Sequence, residues 1–276
     1  MQWWCSAQSG YWSWAWQPYV GVWLLVGGLA LAYWLLWRGS EPGERDGGEP
    51  GSFALGLLLL WAALDWPLAA LGATYLATAH MVQYTLISMA AAPLMLRGLP
   101  DGTLRRALDA GTAGRILEAA TRPMVAFVLF NVVLVGTHWP VVLDTLMATQ
   151  VGSFALDALS LVAGALFWWP IVSPVPERPG FREVWKLAYL FLNTIPGTIV
   201  GLMLVYAEYP AYATYELAPP VFGVSALADQ QVAGLVMKFG GGLVLWSVMG
   251  VIFFRWYLRE SEEAGPAVPA DAGAGS

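Results

Sequence analysis

Seven apolar stretches, each about as long as one bilayer crossing, constrain this chain more than any other feature. They occupy residues 20–37, 53–71, 74–96, 124–138, 152–172, 184–206 and 232–254. A crossing helix needs about 20 predominantly apolar residues. Only the fourth stretch is short, and it leans on the apolar residues 141–146 just beyond Pro140. The second and third nearly touch, which predicts a tight turn near 67–72. The 276 residues are 58% hydrophobic and 12% charged, whereas soluble domains carry about a quarter charged residues. The chain therefore reads as an all-α bundle of seven transmembrane helices, with the 16 tryptophans suiting rings at the membrane interfaces.

The basic residues supply the orientation. Arg38 and Arg45 follow the first stretch, and Arg97, Arg105, Arg106, Arg115 and Arg122 follow the third. Arg178, Arg182 and Lys186 surround the start of the sixth, and Arg255 and Arg259 follow the seventh. Twelve of thirteen Lys and Arg thus alternate strictly by side, and the thirteenth, Lys238, falls inside the last stretch. Positively charged loops stay cytoplasmic, so the expected topology is N-terminus outside and C-terminus inside. Residues 1–19 form an outer segment, 20–260 the transmembrane domain and 261–276 a disordered cytoplasmic tail. Residues 103–121 suit one amphipathic helix whose Arg105, Arg106 and Arg115 meet lipid headgroups. No signal peptide is expected, because residues 1–10 have no basic start and the first apolar run continues as a span.

Several function classes fall away. A net charge of −6 gives no reason to expect nucleic acid. One cysteine, Cys5, excludes an internal disulfide framework and any Cys-rich metal site. No phosphate-binding loop, nucleophile elbow, His-Glu-x-x-His or dinucleotide motif is present, and no nucleophile–base pair argues for an enzyme.

What remains are ionisable groups where hydrocarbon makes them costly, each a functional candidate by default. His80 lies about two turns into the third span, and His138 sits at the outer end of the fourth. Asp157 lies a turn into the fifth, with Ser153 above it, and Asp229, Gln230 and Gln231 open the seventh, two turns above Met237. Asp65 and Asp144 flank the second and fourth spans on the same side. Independent polar accidents would scatter between leaflets, so one shared outer site is the economical reading. Positions four apart share a helix face, which pairs His80 with Tyr84 and Ser153 with Asp157. His80, Met81, His138 and Met237 offer imidazole and thioether, the soft donors that suit Cu(I). Each has a plain alternative: a hydrogen-bonded packing histidine, a core methionine, an Asp229 that caps the seventh helix.

The run HMVQYTLISMAAAPLMLRGLP from His80 closely resembles the CtaG-type cytochrome c oxidase assembly factors. The likeness continues through FNVVLVGTHWPVVLD from Phe130, GALFWWPIV from Gly164, YPAY from Tyr209 and DQQVAGLVM from Asp229. The resemblance implies a multi-pass protein of a prokaryotic cytoplasmic (inner) membrane. It further implies a respiratory-chain assembly role in which copper is handled for a haem–copper oxidase. Carried over by position, it implies His80, His138, Asp229, Gln230 and Met237 as the matching polar positions, with His80, His138 and Met237 as candidate copper ligands; Tyr84, Ser153, Asp157 and Lys238 complete the expected supporting polar cluster with Asp229 and Gln230. Partners would be oxidase catalytic subunits, an extracytoplasmic (periplasmic) copper chaperone and the lipid bilayer.

The departures are as informative. Tyr84, Ser153 and Asp157 stand where the family usually carries histidines, and Lys238 where an aromatic residue is usual. Copper binding is therefore expected to be weak or transient. A buried lysine is costly unless paired, so Lys238 is expected to pair with Asp157 or Asp229, or to snorkel. Two competing readings are an oxidase accessory subunit that has lost its metal site, and a small transporter or proton relay. The relay would need continuity to the cytoplasmic side, where only Asn131, Ser160, Asn193 and Thr194 offer polar groups. Cys5 is expected to be incidental.

Overall fold

The computed structural model of the protein describes residues 2–41, 43, 48–172 and 181–263. Their regular structure is helical, with no strand among them, and residues 2–19 and most of 206–225 run as irregular segments. Arg45, Arg178 and residues 264–276 of the expected tail lie outside the described residues, whereas residues 261–262 end the last helix.

Five helices are long and apolar enough to cross a membrane: α1 (Val20–Gly39), α4 (Ala77–Gly98), α9 (Gln150–Val172), α10 (Glu183–Val205) and α12 (Ala226–Glu262). Two bent pairs raise the number to as many as seven. In the first, α2 (Pro50–Leu64) meets α3 (Leu68–Tyr75) at 46°. In the second, α6 (Gly111–Ala120) meets α7 (Pro123–Thr137) at 78°. The remaining helices are α5 (Asp101–Leu108), α8 (Pro140–Met147) and α11 (Ala213–Glu216).

Proline explains most of the breaks. Pro50, Pro123 and Pro140 stand in the first turns of α2, α7 and α8, where a missing N–H leaves nothing unsatisfied. Pro93 has no N–H to return to Met89, and a π-helical turn over Leu86–Ala91 absorbs the mismatch within α4. Further π turns close α3 over Leu71–Tyr75 and interrupt α12 over Val236–Gly240, at Lys238.

Three expectations need correction. The region 67–72 is not one tight turn: the chain bends at Asp65–Pro67, Leu68–Tyr75 is helical, and a second break falls at extended Leu76. The third span accordingly begins at Ala77, so His80 lies one turn into it rather than two. The expected helix over 103–121 is two helices, since the chain turns at Asp109–Ala110 and Gly111 takes a φ of +59°, a conformation that glycine adopts without strain.

The interior has two centres. One gathers Met81, Phe130, Phe167, Tyr189 and Leu190 among α4, α7, α9 and α10. The other lies under the N-terminal segment, where Trp4, Tyr19, Val22 and Leu60 are buried. That segment is stitched down: Trp3 N–H donates to Gln150 Oε1 at 2.8 Å, and Ala7 N–H to the Met147 carbonyl at 3.0 Å. Large apolar side chains such as Leu24, Val132, Ile199, Leu243 and Phe254 stay exposed on the long helices, as lipid-facing surfaces do. The polar cluster around His80 lies at the start of α4, and Arg97 at its end, beside Lys186, Arg255 and Arg259. The bundle therefore has one polar end, which carries carboxyl groups and histidines, and one basic end.

Candidate functional site

His80 stands in the first turn of α4, and His138 ends α7, where the following Trp139–Pro140 starts a new helix. Both are buried, with exposures of 7% and 4%. Their ring centroids lie 5.7 Å apart, and Tyr84, one turn below His80, meets the His138 ring edge-on at 4.8 Å. The i, i+4 relation read from the sequence thus brings three rings from two helices into one group.

Their hydrogen bonding is incomplete in an informative way. His138 Nδ1 lies 2.7 Å from the Leu134 carbonyl. A carbonyl can only accept, so Nδ1 carries the proton and Nε2 keeps its lone pair. That Nε2 is buried without a partner, as are His80 Nδ1, the Tyr84 hydroxyl and Ser153 Oγ. Buried polar atoms are nearly always satisfied, and four of the partnerless ones among the described residues fall on these neighbouring side chains.

Beside His80 is a cavity of about 10 Å³, close to the size of one water. Its polar walls are His80, Gln83, Ser153 and Asp157, and Cys5 and Met147 add a thiol and a thioether. Gln83 Nε2 donates to Asp157 Oδ1 at 3.1 Å, and Trp4 Nε1 to Asp157 Oδ2 at 2.9 Å. The carboxylate is thereby held by two neutral donors. Cys5 Sγ donates to the Tyr19 hydroxyl at 3.3 Å, and burial pushes the thiol up to about 12, which keeps it protonated at neutral pH.

The other acidic residues do different work. Asp229 accepts from the backbone N–H of Ala77 and Thr78, and the Thr78 hydroxyl donates to the Asp229 carbonyl at 3.0 Å. It caps α4, not its own helix, whose cap is Ser225 accepting from Ala228 N–H. Gln230 Oε1 accepts from Ala211 N–H, and its Nε2 donates to the Leu204 carbonyl at 3.4 Å, fixing the Tyr209–Tyr212 loop. Asp144 accepts from the Ala213 and Thr214 N–H groups that open α11. Asp65 accepts from Trp23 Nε1 and Trp66 N–H. The structure brings His80, Tyr84 and His138 together as one group of rings and places Ser153 and Asp157 on the cavity beside His80, while Asp65, Asp144, Asp229 and Gln230 are hydrogen-bonded elsewhere.

Met237 and Lys238 face a second cleft, which they share with Tyr84, Thr85, Asn193 and Thr198. Tyr84 forms the wall between this cleft and His138. The expected ion pair is absent: among the described residues no carboxylate lies within 4 Å of Lys238, whose ammonium sits 5.2 Å from the Phe239 ring centroid. Asp157 and Asp229 are already occupied by the donors above. Lys238→Met is thus expected to fold and accumulate like the parent, with its thermal midpoint moved by less than about 4 °C. A large loss of folded protein would restore a buried pair.

Sequence reasoning missed Gln83, Trp4, Cys5 and Met147. Gln83 carried a local signal, lying three residues after His80 and hence near its face. Trp4 and Cys5 carried none, since their partners lie far along the chain.

The donor set discriminates among metals. Among the described residues no three His, Cys, Asp or Glu side chains are placed together to hold an ion, so a closed tetrahedral zinc site is not built here. The donors gathered here are two imidazole rings, with a thiol and a thioether on the cavity beside His80.

Comparison with curated proteins returns no match, and comparison with solved structures returns none either. A family model described as cytochrome c oxidase caa3 assembly factor (Caa3_CtaG) matches residues 29–259, which takes in the second half of α1, the later long helices as far as residue 259 and both histidines, but leaves Trp4 and Cys5 outside. Since the match covers most of the chain, the protein belongs to the cytochrome c oxidase caa3 assembly factor family.

Proposed function

We propose that the protein serves oxidase assembly by holding Cu(I), as cargo, between His80 and His138 for delivery at the outer face of a prokaryotic cytoplasmic membrane. It does so as a non-catalytic seven-span protein with its N-terminus outside. The observation that carries this reading is the pair of buried, partnerless ring nitrogens, His138 Nε2 and His80 Nδ1, on rings 5.7 Å apart. The Leu134 carbonyl sets the His138 tautomer that a metal ligand requires. Met147 and Cys5 supply sulfur at the cavity wall, a means of receiving and releasing a soft ion without a tight cage. Such a site binds transiently, as a carrier must, and receives its ion from an extracytoplasmic chaperone. The alternation of basic residues along the sequence supports the orientation.

A second reading, an assembly scaffold that handles no metal, draws on the lack of any three-carboxylate, histidine or cysteine cluster among the described residues. The two separate in cells whose only copy is His80→Ala/His138→Ala. Purified oxidase from them is expected to keep its haem while its copper-to-haem ratio falls at least severalfold at limiting copper. An unchanged ratio would favour the scaffold.

A further inference from the structure

The basic end of the bundle carries a groove of about 740 Å³, far from the histidines and unused by the proposed copper chemistry. Its floor is apolar, built from Leu94 and Trp168 on one side and Val244, Val248 and Ile252 of α12 on the other. Its rim carries Arg97, Lys186, Arg255 and Arg259 against two carboxylates, Asp101 and Glu183. Arg97 pairs with Glu49 at 2.6 Å, while Lys186 and Arg259 share one Glu183 oxygen at 3.7 and 4.0 Å. Among the described residues no carboxylate lies within 4 Å of Arg255. The rim therefore has excess positive charge, and α12, whose Val251 lines the groove, also exposes Leu243 and Phe254.

We propose that this groove binds one anionic phospholipid, its phosphate on Arg255 and Arg259 and one acyl chain along α12 between Val248 and Trp168. The two halves of the groove match the two halves of that molecule. An apolar floor opening on hydrocarbon is filled by a chain rather than by water. Basic pockets between transmembrane helices on the positively charged side hold acidic headgroups, each cation contributing through its attraction to the anionic surface. A soluble anion would satisfy the rim and leave the floor unmatched, and a zwitterionic lipid would satisfy the floor and leave Arg255 without a net negative partner.

Native mass spectrometry of the full-length protein in detergent tests this, with phosphatidylglycerol and phosphatidylcholine of identical chains as probes. The expected result is at least about tenfold stronger retention of phosphatidylglycerol. Arg255→Gln/Arg259→Gln should bring phosphatidylglycerol down to the phosphatidylcholine level, and both arginines are exposed enough to be changed without disturbing the core. Val248→Trp, which fills the floor, should lower retention of both lipids. Equal retention of the two lipids, or retention that neither variant changes, would overturn the proposal. Displacement of the bound lipid by millimolar glycerol phosphate would also overturn it, because the site would then be one for a free phosphate.

Discussion

Replacing Gly234 with leucine should remove folded protein from the membrane, and alanine at the same position should lower thermal stability sharply. The reason is backbone contact. A Cβ at Gly234 would lie 2.5 Å from the Gly201 carbonyl oxygen, and one at Gly201 would lie 2.7 Å from the Gly234 carbonyl oxygen. Two helices, α10 and α12, thus meet carbonyl to backbone, with Val205 Cγ2 and Leu204 Cβ closing the sides at 2.9 and 3.1 Å. Neither oxygen can rotate away as a flexible side chain could. In a bilayer, helices associate through close packing of small residues rather than through a hydrophobic drive, so opening this crossing removes much of what holds α12 in place. Overpacking typically costs about 1–3 kcal/mol. Here a rigid neighbour puts alanine at the upper end, and leucine beyond it, against a typical total of roughly 5–15 kcal/mol. Fluorescence-detected gel filtration and thermal unfolding of Gly234→Ala, Gly234→Leu and Gly201→Ala provide the check. Parent-like behaviour of all three would mean that the helices separate without penalty.

Asp229→Ala should be the next most damaging change, by destabilisation and not by loss of a ligand. Its carboxylate accepts from two backbone donors at the start of α4, the turn that carries His80. Helix caps are worth about 1–2 kcal/mol, and removing a charged acceptor from buried donors adds a desolvation penalty. A loss on the order of 3 kcal/mol is expected. Asp229→Asn, which keeps one acceptor oxygen, should lose less than half of that. The fraction of Asp229→Asn that folds should bind Cu(I) with the parent stoichiometry. If copper binding disappears while stability stays intact, Asp229 is a ligand and the capping account fails.

The contrast between Asp157 and Asp229 shows what could be read before the structure. Length and hydropathy made an all-helical plan with several membrane-length helices legible, because bilayer thickness acts on each segment locally. His80 with Tyr84, and Ser153 with Asp157, were legible as faces because the helical period is local too. The purpose of each acid was not. Asp229 looks from the sequence like the cap of its own helix, and only the fold shows that it caps α4 while Ser225 caps α12. Lys238 looked like an ion-pair partner on grounds of cost alone, yet both candidate acids were satisfied elsewhere by neutral donors. Cys5 had the weakest signal, since nothing near it in the chain says that residues 2–7 fold back over the start of α9 and the end of α8.

The central claim is that two buried imidazoles hold Cu(I). It is tested most directly by anaerobic Cu(I) loading of the purified full-length protein, followed by removal of excess ion and measurement of copper per chain. The His80→Ala/His138→Ala variant is measured in parallel, with its thermal midpoint as a control for folding. The account predicts about one copper on the parent and close to none on a folded variant. No copper on the parent, or equal copper on both, would contradict it and leave an assembly factor that works without metal at this site.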